Sequence, residues 1–411
     1  MPPYFDDLET RSPEARVARQ LAALPAQLIN AISHAPAFAR ILDGVVPAQV
    51  DTLAALAQLP VTRKSELVGL QRENPPFGGF ATRPVGLLAR VFQSPGPIYE
   101  PEARRADYWR FARAMFAAGF RAGDLVHNTF SYHFTPAGFM IESGAAALGC
   151  CVFPAGTGNT ELQVQAISEL RPNGYVGTPG FLRILLERAA EQGSDVSSLS
   201  KALVSGEALP PSLRAQFAER GVQVRQCYAS ADLGVIAYES SAQDGLIIDE
   251  GVIVEIVRPG TGEPLPDGEV GEVVVTTLNP DYPLIRFGTG DLSAILPGLS
   301  PCGRTNRRLR GWLGRADQTT KVKGMFVHPG QIAAVLKRHP ELGRCRLVVD
   351  RAGHEDLMTL HCECAQADAR LAEAVAGSLR ELTKLRGRVE LVAPGSLPND
   401  GKVIDDVRRY D

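Results

Sequence analysis

The sequence predicts an α/β fold. It comprises a large N-terminal domain with mainly parallel sheets and a small β-barrel-like part, then a small α+β C-terminal domain. Three observations lead there. Between about 85 and 260, short apolar runs ending in Gly, Ser, Thr or Pro alternate with amphipathic stretches, as in strand–helix–strand units. From 252, Val and Ile alternate against polar residues with no helical stretch between them. From 315 a second set of strand and helix patterns begins. The division expected is therefore 1–314 and 315–411, in line with roughly 100–200 residues per domain.

The elements follow in order. Residues 12–33 carry apolar groups at helical spacing, with Ser12 as N-cap and Pro13 in the first turn. VDTLAALAQLPVTRKSEL repeats the pattern and places Thr62 ahead of another short helix. LVHNTF, GCCVFPA, GYVGTP, KALVSGEAL and VRQCYAS read as strands, with NTELQVQAISEL and PGFLRILLERAAEQ as helices between them. Ligands are expected at the C-terminal ends of such strands. VIVEIVRP and VGEVVVTTL flank the turn PDGE, a hairpin or part of a small barrel. In the C-terminal part, RCRLVVD, DLMTLHCEC and RVELV read as strands, with PGQIAAVLKRH and ADARLAEAVAGSLREL as helices. In HCEC, alternation puts His361 and Glu363 on one face and Cys362 and Cys364 on the other, which favours a packed strand over a metal site.

Composition narrows the class. With 45% hydrophobic and 22% charged residues, the 411-residue chain is neither disordered nor fibrous. A net charge of -3 gives no case for nucleic acid or an anionic membrane as partner. Seven scattered cysteines read as reduced thiols of a cytoplasmic protein. The N-terminal residues lack the apolar run of a secretory signal, and the most apolar stretch, 145–153, is too short to span a bilayer.

Five segments carry a family resemblance: SGEALPPSLR (205–214), QCYASADLGVIAYES (226–240), PLIRFGTGDLSAI (283–295), GRADQTTKVKGMFVHPGQI (314–332) and LPNDGK (397–402). In this order they resemble the adenylate-forming acyl-CoA synthetases. FSYHFTPAGF, GNTELQVQAI and GYVGTPGFLRILLE resemble the phenylacetate–CoA ligase branch in particular. The resemblance implies an ATP-, Mg²⁺- and CoA-dependent ligase of a small, aromatic carboxylic acid, with nucleotide and CoA as its other small-molecule partners. The acid would attack the α-phosphate of ATP, and CoA thiol would then displace AMP.

The resemblance also assigns residues. Gly206, Glu207, Tyr228, Ala229 and Ser230 would line the nucleotide site, with Tyr228 stacking on adenine. Taken alone, a tyrosine at a strand end is more often core. Asp232 stands where relatives carry a metal-binding glutamate, one methylene shorter but still a hard oxygen ligand. Asp291 would accept the ribose hydroxyls and Arg315 would contact the ribose. Asp317 would be the hinge, and Lys323–Gly324 would line the pantetheine tunnel. Lys402 would stabilise charge developing on the α-phosphate, or stand as a solvated tail lysine. Tyr132, His133, Phe134 and Pro136 would wall the acyl pocket, or simply pack between sheet and helix. The arginines at 304, 307, 308, 310 and 315 would attract a CoA phosphate or form a solvated loop. The apolar hairpin and Trp312 leave room for a homodimer surface.

One departure stands out. Relatives cradle the triphosphate with a loop close to S-S-G-T-T-G-K-P, and this chain reads VFQSPGPIYEP. Pro95 and Pro97 remove two amide donors, no Thr or Lys remains, and Glu100 and Glu102 add negative charge. Losing three charge-assisted hydrogen bonds would cost about 4–9 kcal/mol, roughly three to six decades of rate. Arg104 and Arg105 lie just downstream as replacement charge or as a solvated helix start. The loop motivates an alternative reading, a degenerate homologue that binds acyl-adenylate, AMP or acyl-CoA without efficient ATP chemistry. Adenylation with transfer to a non-CoA acceptor is a third reading. Of the Cys and His that hold structural zinc in some relatives only Cys302 is present, so no such zinc is expected.

Overall fold

The computed structural model describes residues 3–94, 97–322, 325–352, 355–366, 368–398 and 402–408. The chain divides into two compact units. The first comprises Met1–Val257, Gly262–Thr289 and Ala294–Gly311, and the second Arg258–Thr261, Gly290–Ser293 and Trp312–Asp411.

The first unit is built on a nine-stranded sheet. Five strands are parallel, in the order Gln223–Ser230, Lys201–Val204, Gly174–Gly177, Leu125–Asn128 and Cys151–Pro154. Beyond Gln223–Ser230 the sheet turns antiparallel through Gly234–Glu239, Leu246–Ile248, Arg308–Leu309 and Ile295–Leu296. Parallel strands need long crossovers, supplied by the helices Ala137–Leu148, Thr160–Leu170, Pro179–Gln192 and Pro211–Glu219. The helix Pro179–Gln192 starts where Thr178 accepts the Phe181 N–H at 3.2 Å and Pro179 occupies the first turn. Its apolar face, Leu182, Leu185, Leu186 and Ala189, is buried in a cluster with Val164, Ile167 and Tyr175.

Val252–Val257 and Gly271–Thr277 pair antiparallel as the alternation requires, within a four-stranded sheet completed by Phe287–Ser293 and Thr62–Arg63. Thr62 thus ends in a strand, parallel to Phe287–Gly288, rather than capping a helix directly. The N-terminal helix Pro13–His34 begins at Ser12, whose hydroxyl accepts the Ala15 N–H, and buries Leu24, Leu28 and Ala31. Gln27 ties it to the sheet by donating to the carbonyls of Thr277 and Asn279. No described helix is long and apolar enough to cross a membrane.

Around 91–101, where relatives carry the phosphate loop, most residues lie in strands. Leu88–Ser94 and Ile98–Ala103 form an antiparallel hairpin with Ser94 opposite Ile98. Val91, Phe92, Ile98 and Tyr99 supply the β-branched and aromatic residues that strand pairing favours. Its second strand places Glu100 and Glu102 inward, both buried.

In the second unit, Arg388–Val392, Glu355–Cys364, Leu342–Ala352 and Ile404–Asp406 form a four-stranded sheet with Pro329–Arg338 and Ala369–Thr383 as its helices. Cys362 and Cys364 face the core, while His361 is half-buried with its Nδ1 3.2 Å from Glu390.

Candidate active site

The C-terminal ends of the parallel strands converge on one polar rim. Thr129 donates its hydroxyl to Tyr175 Oη (2.8 Å), and Tyr175 in turn donates to the Thr178 carbonyl (2.9 Å). Ser205 donates to the Cys227 carbonyl at 2.9 Å, tying two strand ends together. Gly206 follows at φ +81°, a left-handed conformation that glycine adopts at little cost. Glu207 accepts the Gly180 N–H at 3.0 Å, closing the rim onto the next helix. Tyr228 is half-buried and donates to Thr289 Oγ1 at 3.2 Å. Ala229 is also half-buried, and Ser230 turns its hydroxyl to accept the Leu233 N–H at 3.2 Å.

Asp232, two residues beyond the strand, is the centre of a buried charge cluster. Its side chain is wholly enclosed, and Oδ2 receives Lys64 Nζ at 2.5 Å. Oδ1 has no hydrogen-bond partner among the described residues. A buried carboxylate oxygen left in that state is costly unless a ligand completes it. Beside it lies Glu100, whose two oxygens hold the Ser94 N–H (3.2 Å) and the Ser94 hydroxyl. Burial, and secondly the neighbouring Asp232, push the Glu100 carboxyl up to about 8, so it is mainly uncharged at pH 7. Glu102 is also raised by burial and pairs with Arg90 at 3.0 Å. The negative charge expected of Glu100 beside the phosphates is thus largely absent, because desolvation keeps its proton on.

Sequence reasoning did not single out Lys64. It lies 168 residues from Asp232, so no local spacing could have paired them. Of the arginines offered as replacement charge, Arg105 is tied to Asn279 at 3.0 Å and to Asp281 at 3.6 Å, while Arg104 is exposed.

The acyl-wall segment splits. Tyr132 is half-buried, and its hydroxyl accepts from Asn128 Nδ2 at 2.7 Å. Its ring lies so close over Gly138 that a Cβ there would sit 3.0 Å from it. Phe139 meets Tyr132 edge-on at 5.2 Å, and Phe92 packs 5.6 Å from Phe139. Pro136 is buried at the start of the following helix. His133 and Phe134 are exposed instead, with Phe134 76% accessible in a positive-φ turn. Their place in the wall does not follow from this arrangement, since the turn directs them outward.

In the second unit, Asp291 Oδ1 accepts from Arg315 Nη1 and Trp312 Nε1, each at 3.1 Å. Gly290 at φ +75° lets the guanidinium lie against the backbone, where a Cβ would come within 2.7 Å of Arg315 Nη2. Asp317 falls in the turn Ala316–Gln318, its side chain outside the described residues. Lys323 and Gly324 also lie outside the described residues. Lys402 is 55% exposed, with Nζ 3.3 Å from Asp405 Oδ1.

Two of the arginines read as a CoA patch or a solvated loop are neither. Arg304 is buried on Glu9, and Arg308 is buried against Asp244 and the carbonyls of Pro297 and Gly298.

Two family profiles match the chain. One, described as AMP-binding enzyme, covers residues 106–279, and the other, described as AMP-binding enzyme C-terminal domain, covers residues 324–407. The chain is 33% identical to a phenylacetate-coenzyme A ligase of Aromatoleum evansii over 88% of its length and 84% of the relative's. It is 32% identical to a phenylacetate-coenzyme A ligase of Thermus thermophilus over 96% of both. The chain belongs to the AMP-binding enzyme family. Among solved structures, the open conformation of 2-hydroxyisobutyryl-CoA ligase, in complex with 2-HIB-AMP and CoA, superposes with a TM-score of 0.87 at 26% identity. That match covers 98% of this chain and 95% of the other. The protein is an AMP-forming acid–thiol ligase of the phenylacetate–CoA ligase branch, using ATP and CoA. The non-catalytic alternative is not favoured, because the ligase matches named relatives over nearly their whole length.

Proposed function

We propose that this ligase activates a small aromatic acid of the benzoate or phenylacetate type. The observation that carries the reading is the ring set at a parallel-strand end, with Tyr132 edge to face on Phe139 and Phe92 tilted against Phe139. Edge-to-face rings present flat apolar walls, which suit an aryl group better than a long alkyl chain. Relatives named phenylacetate-coenzyme A ligases point the same way. In the first half-reaction the acid's carboxylate oxygen attacks the α-phosphorus and pyrophosphate leaves. In the second the CoA sulfur attacks the acyl carbon and AMP leaves.

In this reading Gly206, Glu207, Ala229 and Ser230 border the purine, and Tyr228, braced on Thr289, offers its ring face. Asp291 accepts the ribose hydroxyls and Arg315 holds that carboxylate in place. Lys402 stabilises charge on the α-phosphate, and Asp317 is the hinge of a mobile C-terminal domain. The unpartnered Oδ1 of Asp232 suits a hard cation such as Mg²⁺. Among the described residues no group of three His, Cys, Asp or Glu could hold a metal, so water and phosphate would supply its other ligands. Bound there, Mg²⁺ would neutralise phosphate charge.

A second reading, a short hydroxy acid, rests on the likeness to 2-hydroxyisobutyryl-CoA ligase. Acid-dependent ATP–pyrophosphate exchange without CoA separates the two. Exchange with benzoic or phenylacetic acid supports the first, and exchange confined to short aliphatic hydroxy acids overturns it. Lys402→Ala should depress exchange far more than transfer from preformed acyl-adenylate to CoA, and equal loss in both would remove its assigned role.

A further inference from the structure

The sequence from Ser94 to Ala103 is poor in groups that could hold a triphosphate. Pro95 and Pro97 have no N–H, and no Lys or Arg occurs between Ser94 and Ala103. Ser94 is buried with both its N–H and its hydroxyl engaged by Glu100. Yet the chain forms acyl-adenylate, and the departing pyrophosphate must be met by positive charge.

Resting on the ligase reading, we propose that Lys64 is the phosphate-binding cation of this enzyme, exchanging Asp232 for the β- and γ-phosphates of ATP. Its ammonium stands 2.5 Å from the enclosed Asp232 carboxylate. It is also among the charges acting on Glu100, whose carboxyl holds Ser94. The side chain is 26% exposed, whereas Asp232 is not exposed at all, so the ammonium caps the buried acid from the open side. Lysine suits the exchange. It is a compact charge on a flexible stem, and it follows a phosphate as readily as a carboxylate. When it leaves, both Asp232 oxygens are open, and the carboxylate that Lys64 shielded becomes available to a divalent cation arriving with the nucleotide. One residue thereby supplies the cation that the sequence between Ser94 and Ala103 lacks, and neutralises the acid until nucleotide binds.

The test is calorimetric titration of the full chain with ATP, inorganic pyrophosphate and AMP. Lys64→Ala should weaken ATP and pyrophosphate binding roughly 10- to 100-fold and leave AMP within about threefold. Because Lys64→Ala strands the Asp232 charge, Lys64→Ala/Asp232→Asn is measured beside it, with Lys64→Arg expected to restore most of the lost affinity. An equal loss for AMP and ATP, or unchanged pyrophosphate binding in a folded variant, overturns the proposal. Transfer from prepared acyl-adenylate to CoA by the unmodified protein tests the ligase reading separately, since that step needs no triphosphate.

Discussion

Two buried carboxylates in the first unit sit in opposite chemical states. Glu9 is fully enclosed and fully satisfied. Its Oε1 accepts from Tyr238 (2.6 Å) and Arg304 Nε (2.8 Å), and its Oε2 from the Phe5 N–H (2.7 Å) and Arg304 Nη2 (3.4 Å). Asp232 is equally enclosed but holds one lysine on one oxygen and nothing described on the other. Burial alone does not separate a structural acid from a working one. The leftover hydrogen-bonding capacity does, because a saturated carboxylate has no valence to offer a ligand, whereas an unsaturated one holds free energy that ligand binding can release.

Breaking the saturated cluster should give the largest effect. Arg304→Ala leaves Glu9 buried and uncompensated, and should cost about 3–5 kcal/mol of stability, read by denaturant unfolding. ATP affinity of the folded fraction should be unchanged. A loss of nucleotide binding without loss of stability would erase the distinction.

Asp232→Asn should behave in the opposite way. Removing a buried carboxylate with one unpartnered oxygen should leave stability within about 1 kcal/mol, while acid-dependent pyrophosphate exchange falls by about 10²-fold or more. Unaltered exchange would mean that the open oxygen is merely a packing fault.

Glu100 sharpens the contrast through pH. Enclosed with Asp232, Lys64, Ser94 and Tyr282 around it, it keeps its proton up to about pH 8, whereas in the unfolded chain it loses it near 4.5. The folded state therefore binds more protons between those values, and its contribution to stability is complete below about pH 4.5 and is lost as pH rises through 8. Glu100→Gln should flatten that loss, so the melting temperature of the variant relative to the parent rises from pH 5 to pH 8.5. A difference independent of pH would show the carboxyl to be ionised throughout.

The smallest effect belongs to Tyr132→Phe. Losing the acceptor for Asn128 Nδ2, which keeps its second bond to the Gly138 carbonyl, should cost about 1 kcal/mol. The KM for an aryl acid should rise a few-fold with little change in the KM for ATP. A change in the KM for ATP alone would move Tyr132 out of the acyl wall.

The strand–helix alternation, the Val- and Ile-rich hairpin and the C-terminal sheet were all legible in the sequence, because hydrophobic periodicity is a local property. The ordered motifs were enough to identify the family. Legibility failed where side-chain environment mattered. Residues 91–101 read as a damaged, acid-rich phosphate loop, but Leu88–Ser94 and Ile98–Ala103 pair as strands and burial neutralises Glu100. His133 and Phe134 sit in the same short motif as Tyr132, yet a positive-φ turn sends them outward. The arginine run near 304 looked like one patch, but Arg304 and Arg308 are separately buried on acids far away in sequence.

The sequence by itself determined the order of strands and helices, the family motifs and the shortage of phosphate donors between Ser94 and Ala103, since all three are written in consecutive residues. Only the tertiary structure decided which charges are saturated and which remain open. Lys64 meets Asp232 across 168 positions and Glu9 meets Arg304 across 295. The free energy of each carboxylate is set by neighbours and desolvation that exist only once the chain has folded.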